Sequence, residues 1–155
     1  MSPIDLPDLA ATEAFGRRLG AALFPGAVVA LVGPLGAGKT HLVRAVAEGL
    51  AIADSRAVSS PTFVLIQEYD ARLPIYHFDA YRLRSPAEFA ALGVDEYFAG
   101  AGVCLIEWAD RVAPALPAEH LRLTLTVTGE TTRCLHIEGH GPRHEALAQR
   151  LLEAN

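Results

Sequence analysis

Apolar and polar positions alternate along this chain with two periods, one suited to strands and one to helices. The run Ala27-Val-Val-Ala-Leu-Val32 sits between Pro25-Gly26 and Gly33-Pro34, which predicts a buried strand. Leu42, Val43, Val46, Ala47 and Leu50 then share one helical face, predicting a helix over 39–50. Upstream, Asp8 is placed to cap a helix over 9–23 with Phe15, Leu19, Ala22 and Leu23 inward. Residues 1–8 form a lead-in that can supply an edge strand. Residues 58–69 begin as a loop and become a strand rich in β-branched and aromatic residues, and 70–74 turn. Ile75-Tyr-His-Phe78 predicts a short strand ending at Asp79, and Val103-Cys-Leu-Ile106 a buried one ending at Glu107.

Between those strands, Ser85-Pro-Ala-Glu88 is a helix start, with Ser85 as cap and Glu88 closing a capping box. Phe89 and Leu92 face inward, Gly93 ends the helix, and 94–98 make a further helical turn. Leu121-Arg-Leu-Thr-Leu-Thr-Val127 alternates strictly, as a strand with one wet face does. After the turn 128–131, residues 132–138 return as its hairpin partner, and 142–153 close the chain as a helix with Leu147, Leu151 and Leu152 inward. The pattern predicts one domain over 1–155 of the α/β class. Its three layers enclose a mixed sheet with a parallel centre and a C-terminal antiparallel hairpin.

Composition narrows the class. Of 155 residues, 51% are hydrophobic, so the chain can bury a core. The apolar runs are too short to span a membrane, and Met1-Ser-Pro-Ile-Asp5 is unlike a signal peptide, so a cytoplasmic protein is expected. Cys104 and Cys134 are isolated and read as reduced, buried thiols. The net charge is −5, and the 13 basic residues form no run, which argues against tight nucleic-acid binding by this chain alone.

The chemistry centres on Gly33-Pro-Leu-Gly-Ala-Gly-Lys-Thr40, a match to G-x-x-x-x-G-K-[ST] between a predicted strand and a predicted helix. Its glycines let the backbone fold into a nest of N–H groups for phosphate, reinforced by the positive end of the helix. Lys39 is placed to reach the β- and γ-phosphates, and the Thr40 hydroxyl to ligate Mg²⁺. Thr62, in Ser59-Ser-Pro-Thr-Phe63, fits either a turn cap or a switch-loop residue facing Mg²⁺ or phosphate. Asp79 and Glu107 each end an apolar strand, where ligands gather in parallel sheets. Both qualify for the metal-directed carboxylate, and the sequence does not rank them. His77 reads first as a packed, hydrogen-bonded core residue and second as a catalytic base, and Arg82 as an ion-pair partner with an internal arginine finger as the other reading. Trp108, the only tryptophan, suits a nucleotide cover, a partner surface or plain core. His136, His140 and His144 cross a strand end, a loop and a helix start, so they predict no metal site. No N-K-x-D guanine motif and no Arg-rich kinase lid are present.

The P-loop 33–40, Ser60-Pro-Thr-Phe63, His77-x-Asp-x-Tyr-Arg-Leu83 and Glu107-Trp108, in this order, resemble the bacterial TsaE family, also called YjeE. The resemblance spans nearly the whole chain. It implies a P-loop NTPase fold and an ATPase that supports threonylcarbamoyl transfer to the adenosine beside the anticodon of certain tRNAs. It further implies TsaD as the transferase and TsaB as its partner, with little hydrolysis in their absence. By the same resemblance Gly36, Ala37, Gly38, Lys39, Thr40 and His41 contact phosphates, with Gly33 opening the loop. Thr40 and Glu107 serve Mg²⁺, and Thr62 and Asp79 form switch-like elements. Asp79 is a further candidate for the metal, and Lys39, Asp79 and Glu107 carry the catalytic assignment. Trp108 lies near the nucleotide, Leu9 and Thr12 border the adenine, and Arg133 approaches the phosphates. The tRNA is met only through the partners. The rival readings are an independent P-loop small-molecule kinase and a nucleotide-sensing module without hydrolysis.

Overall fold

The computed structural model describes residues 3–34, 36–58 and 65–153. The first strand, β1, is Ile4–Leu6. Asp8 then caps α1 (Leu9–Ala22), its carboxylate accepting the Ala11 N–H at 2.8 Å. The central strand β2 is Val28–Val32, and α2 (Lys39–Gly49) follows the glycine-rich loop. Strands β3 (Ile66–Tyr69) and β4 (Ile75–Asp79) form a hairpin. Two short helices, α3 (Pro86–Ala90) and α4 (Val94–Ala99), lead to β5 (Val103–Glu107). The chain ends with the hairpin β6 (His120–Val127) and β7 (Arg133–His140) and with α5 (Pro142–Glu153).

The seven strands form one sheet in the order β1-β7-β6-β2-β5-β4-β3. Its centre is parallel, because β2 runs parallel to both β5 and β6, and β5 parallel to β4. The flanks are antiparallel: β7 and β1 on one side, β3 on the other. Each face of the sheet carries its own core. Phe15, Leu19, Leu42 and Val46 join Leu147 and Leu151 over Val29, Leu31, Leu105 and Leu123 on one face. Phe89, Val94 and Val112 pack with Phe78, Cys104 and Ile106 on the other. This is the three-layer α/β arrangement expected from the hydrophobic pattern.

The differences are local. Residues Ala109–Ala115 form a 3-10 turn that the periodicity did not predict. Strand β7 runs to His140 rather than stopping near 138. Val127 is 45% exposed, because it lies past the last buried position of the wet-faced strand β6. Ala22, Leu92, Leu152 and Cys134 are half-buried rather than inward. Ser85 accepts the Glu88 N–H as a cap should, but Glu88 takes the Arg84 N–H at 2.7 Å, so the box closes one residue early.

Candidate functional site

The site lies at the C-terminal edge of the parallel strands, where β2, β4 and β5 all end. Register places Leu31 beside Glu107 and Glu107 beside Asp79, so the glycine-rich loop and both carboxylates meet at that edge. The loop turns through left-handed backbone at Gly36 (φ +80°) and Gly38 (φ +99°). No L side chain holds that conformation without strain, and Gly38 is also the residue that starts α2. The first helical bond runs from the Leu42 N–H to the Gly38 carbonyl at 2.9 Å. The N–H groups before Leu42 therefore have no partner within the helix and carry its positive pole.

Two cavities open on either side of this loop. One, of about 270 Å³, is lined by the loop from Gly36 to His41 with Glu107 and Trp108. The other, of about 350 Å³, is bounded by Leu9, Thr12, His41, Glu130 and Arg133 with Gly36 to Gly38 between them. Within the first, the Lys39 ammonium donates to the carbonyls of Gly33 at 2.5 Å and Pro34 at 3.0 Å. It also sits 3.7 Å from the centre of the Trp108 ring. Burial lowers the Lys39 pKa, and the charges of Glu107, Asp110 and Asp79 oppose that shift. Trp108 is itself half-buried, with a left-handed backbone (φ +59°) that turns the chain out of β5. Tyr81 packs 4.8 Å from it, and the Arg111 guanidinium covers both rings.

The oxygen donors form a small hard set. The Thr40 hydroxyl donates to Glu107 Oε1 at 3.4 Å, and Glu107 Oε2 accepts from His77 Nε2 at 2.5 Å. Asp79 accepts the Tyr81 N–H at 2.9 Å. Burial raises the Asp79 pKa first; the Tyr81 N–H opposes that rise, and the negative Glu107 adds to it. A half-buried hydroxyl and two buried carboxylates suit Mg²⁺, a cation that takes oxygen ligands and keeps several waters.

The remaining expected residues fall as follows. Thr12 is buried and Leu9 exposed on the wall of the second cavity. His41 is exposed between the two cavities. Gly33 stands where an added Cβ would lie 2.8 Å from the Leu125 carbonyl, so the loop leaves the sheet in close contact with β6. Arg133 donates to the carbonyls of Ala37 and Gly36, both at 3.1 Å, and to those of Gly129 and Thr132. It therefore ties the β6–β7 turn to the back of the loop. Thr62 lies outside the described residues. The three histidines 136, 140 and 144 make no metal site, and no group of three or more His, Cys, Asp or Glu side chains placed to hold a metal occurs among the described residues. Sequence reading gave Asp8 only as a helix cap and Tyr81 only as part of a motif, and named no site role for Glu130 and Thr131 on the second cavity or Arg111 on Trp108. None of these residues stands within a recognisable phosphate motif; only folding brings them to the loop.

The strand–loop–helix cradle on a parallel sheet defines the P-loop class of α/β proteins. The family described as threonylcarbamoyl adenosine biosynthesis protein TsaE matches residues 6–135. A Bacillus subtilis protein named tRNA threonylcarbamoyladenosine biosynthesis protein TsaE is 44% identical over 90% of this chain and 87% of its own. A Treponema pallidum protein of the same name is 43% identical over 79% of this chain and 89% of its own. A crystal structure of YdiB from Bacillus subtilis superposes with a TM-score of 0.81 at 36% identity, covering 99% of this chain and 95% of that one. The chain belongs to the TsaE family.

Proposed function

We propose that this protein is a single P-loop domain that binds and hydrolyses ATP with Mg²⁺ in the biosynthesis of tRNA threonylcarbamoyladenosine. Its relatives carry that pathway in their names. The observation that carries the nucleotide reading is the meeting of Lys39, Thr40 and Glu107 on one loop-lined cavity, with Asp79 beside Glu107 in register. The loop amides and Lys39 bind the phosphates, and the second cavity, with Leu9, Thr12 and Arg133, takes the nucleoside. Thr40, Glu107 and Asp79 would hold Mg²⁺, which when bound neutralises charge on the β- and γ-phosphates. Asp79 or Glu107 orients the attacking water. Catalysis of this kind rests on positioning and electrostatics, which a preformed cradle supplies.

The partners in this reading are TsaB and TsaD, with TsaD transferring the threonylcarbamoyl group. The tRNA is engaged through them, in keeping with a net charge of −5. The proposed location is the cytoplasm. The test is to mix the purified protein with TsaB and TsaD and to follow ATP hydrolysis and tRNA modification together. Both are expected to depend on the complete mixture. Phosphate transfer to a metabolite without partners would favour a small-molecule kinase, and ATP binding without turnover in the mixture would favour a nucleotide sensor.

A further inference from the structure

His77 is wholly buried in the middle of β4, between Tyr76 and Phe78. Its neighbours across the sheet are Leu105 and Gln67. An aliphatic side chain would suit that position better for packing alone. The imidazole leaves Nδ1 buried without a hydrogen-bond partner among the described residues, a cost that packing does not return. What His77 gains is Glu107. Its Nε2–H donates to Glu107 Oε2 at 2.5 Å, while Glu107 Oε1 accepts from Thr40 at 3.4 Å. The two carboxylate oxygens are thus held from opposite directions, one by β4 and one by α2.

The register explains why this matters. Glu107 stands beside Asp79, whereas His77 stands beside Leu105, two residues earlier on the same face. The bond to His77 draws the Glu107 carboxylate back along β5 and onto Thr40. Without it, a carboxylate at the end of β5 is free to rotate towards solvent or towards Asp79. We propose that His77 is a positioning residue that aims Glu107 at Thr40 and so at the Mg²⁺ of the bound nucleotide. This rests on the nucleotide reading above. Carboxylates that hold metals are commonly oriented in this way by a second group, and losing such a group weakens metal binding or activity by about 10–100-fold.

Four variants test it: His77→Leu, His77→Gln, Glu107→Gln and the double change His77→Leu with Glu107→Gln. ATP affinity is measured by calorimetry with and without Mg²⁺, and turnover with TsaB and TsaD present. In His77→Leu the tightening of ATP binding by Mg²⁺ should shrink by about ten-fold or more, with Mg²⁺-free affinity unchanged and turnover falling on the order of 10–100-fold. His77→Gln, which can place an amide N–H near Nε2, should recover most of both. In the Glu107→Gln background the Leu substitution should add nothing further, because its effect passes through that carboxylate. An unchanged Mg²⁺ effect in folded His77→Leu, or an undiminished loss in the Glu107→Gln background, overturns the proposal.

The wild-type chain gives a check independent of how the variants fold. Its His77 Nε2–H should be seen by nitrogen-resolved NMR as a downfield, slowly exchanging proton, and should move in Glu107→Gln. Absence of that signal, or its indifference to Glu107→Gln, also overturns the proposal. If the wild-type protein binds no ATP while the NMR signal is present, the nucleotide reading fails, and the metal-directed role falls with it.

Discussion

At the scale of single residues, Lys39 shows how little of a phosphate site depends on one side chain and how much does. Its ammonium is bonded to the loop's own carbonyls and lies against Trp108. In the proposed function, phosphate would replace those neutral acceptors with charged ones. Replacing Lys39 by Ala removes the positive side chain of the loop. It should weaken ATP binding by roughly ten- to a hundred-fold, the scale of one charge-assisted hydrogen bond. Calorimetric titration checks this, and wild-type affinity in the folded variant would contradict it. The carboxylates should behave differently. Glu107→Gln and Asp79→Asn keep shape and lose charge at the positions that meet at the end of β4 and β5. Each should hold ATP affinity within about ten-fold while lowering partner-stimulated turnover on the order of a hundred-fold. If these residues only support the fold, melting temperature will fall and turnover per folded molecule will stay level.

At the scale of elements, the loop is placed by the close approach of α1 to α2. A Cβ added to Gly20 would lie 2.2 Å from the Val46 carbonyl, and one added to Gly16 would lie 2.5 Å from the Ala45 Cβ. The contacts at Gly20 are backbone, which cannot rotate away. Gly20→Ala gains about 1 kcal/mol of helix propensity. The overpacking it forces costs about 1–3 kcal/mol and more where backbone must shift. The clash should win, lowering the melting temperature by several degrees at about 2–4 °C per kcal/mol for a chain of this size. A thermal melt decides it: a higher melting temperature in Gly20→Ala would mean that the helices stand further apart. Arg133 does at the other flank what the glycines do here, since its four backbone acceptors join the β6–β7 turn to the loop.

At the scale of the whole molecule, the end of the sheet opposite the loop depends on a neutral histidine. His144, in the first turn of α5, is 3% exposed and accepts the Val28 N–H at 3.2 Å through Nε2. Burial pushes its pKa down to about 4, and the nearby His120, Arg143 and His140 add to the shift. The folded state therefore refuses a proton that the unfolded chain accepts below about 6.5. The contribution to stability is whole above that value and is lost as pH falls from about 6.5 towards 4. By pH 5 the loss from this group is about 2 kcal/mol. Urea unfolding at pH 7.5 and pH 5 should show that difference in the wild type. The slope should be shallower in His144→Gln, which keeps an acceptor but does not titrate. Equal slopes would mean that other groups set the acid limit.

The sequence alone determined the class, the strand–loop–helix cradle and the family. These rest on local spacing: a glycine pattern is read in eight adjacent positions, and helix or strand periods within a dozen residues. It also placed Asp79 and Glu107 at strand ends, because an apolar run stops where a carboxylate begins. The tertiary structure decided that the two carboxylates are neighbours in register, and that His77 and Thr40 divide the Glu107 oxygens between them. It also decided that Arg133 reaches the loop from the far hairpin. His77 and Glu107 are separated by 30 residues, and Arg133 and Ala37 by 96. No periodicity carries information over such distances; strand order and register do, and these are set by how the two faces of the sheet are covered.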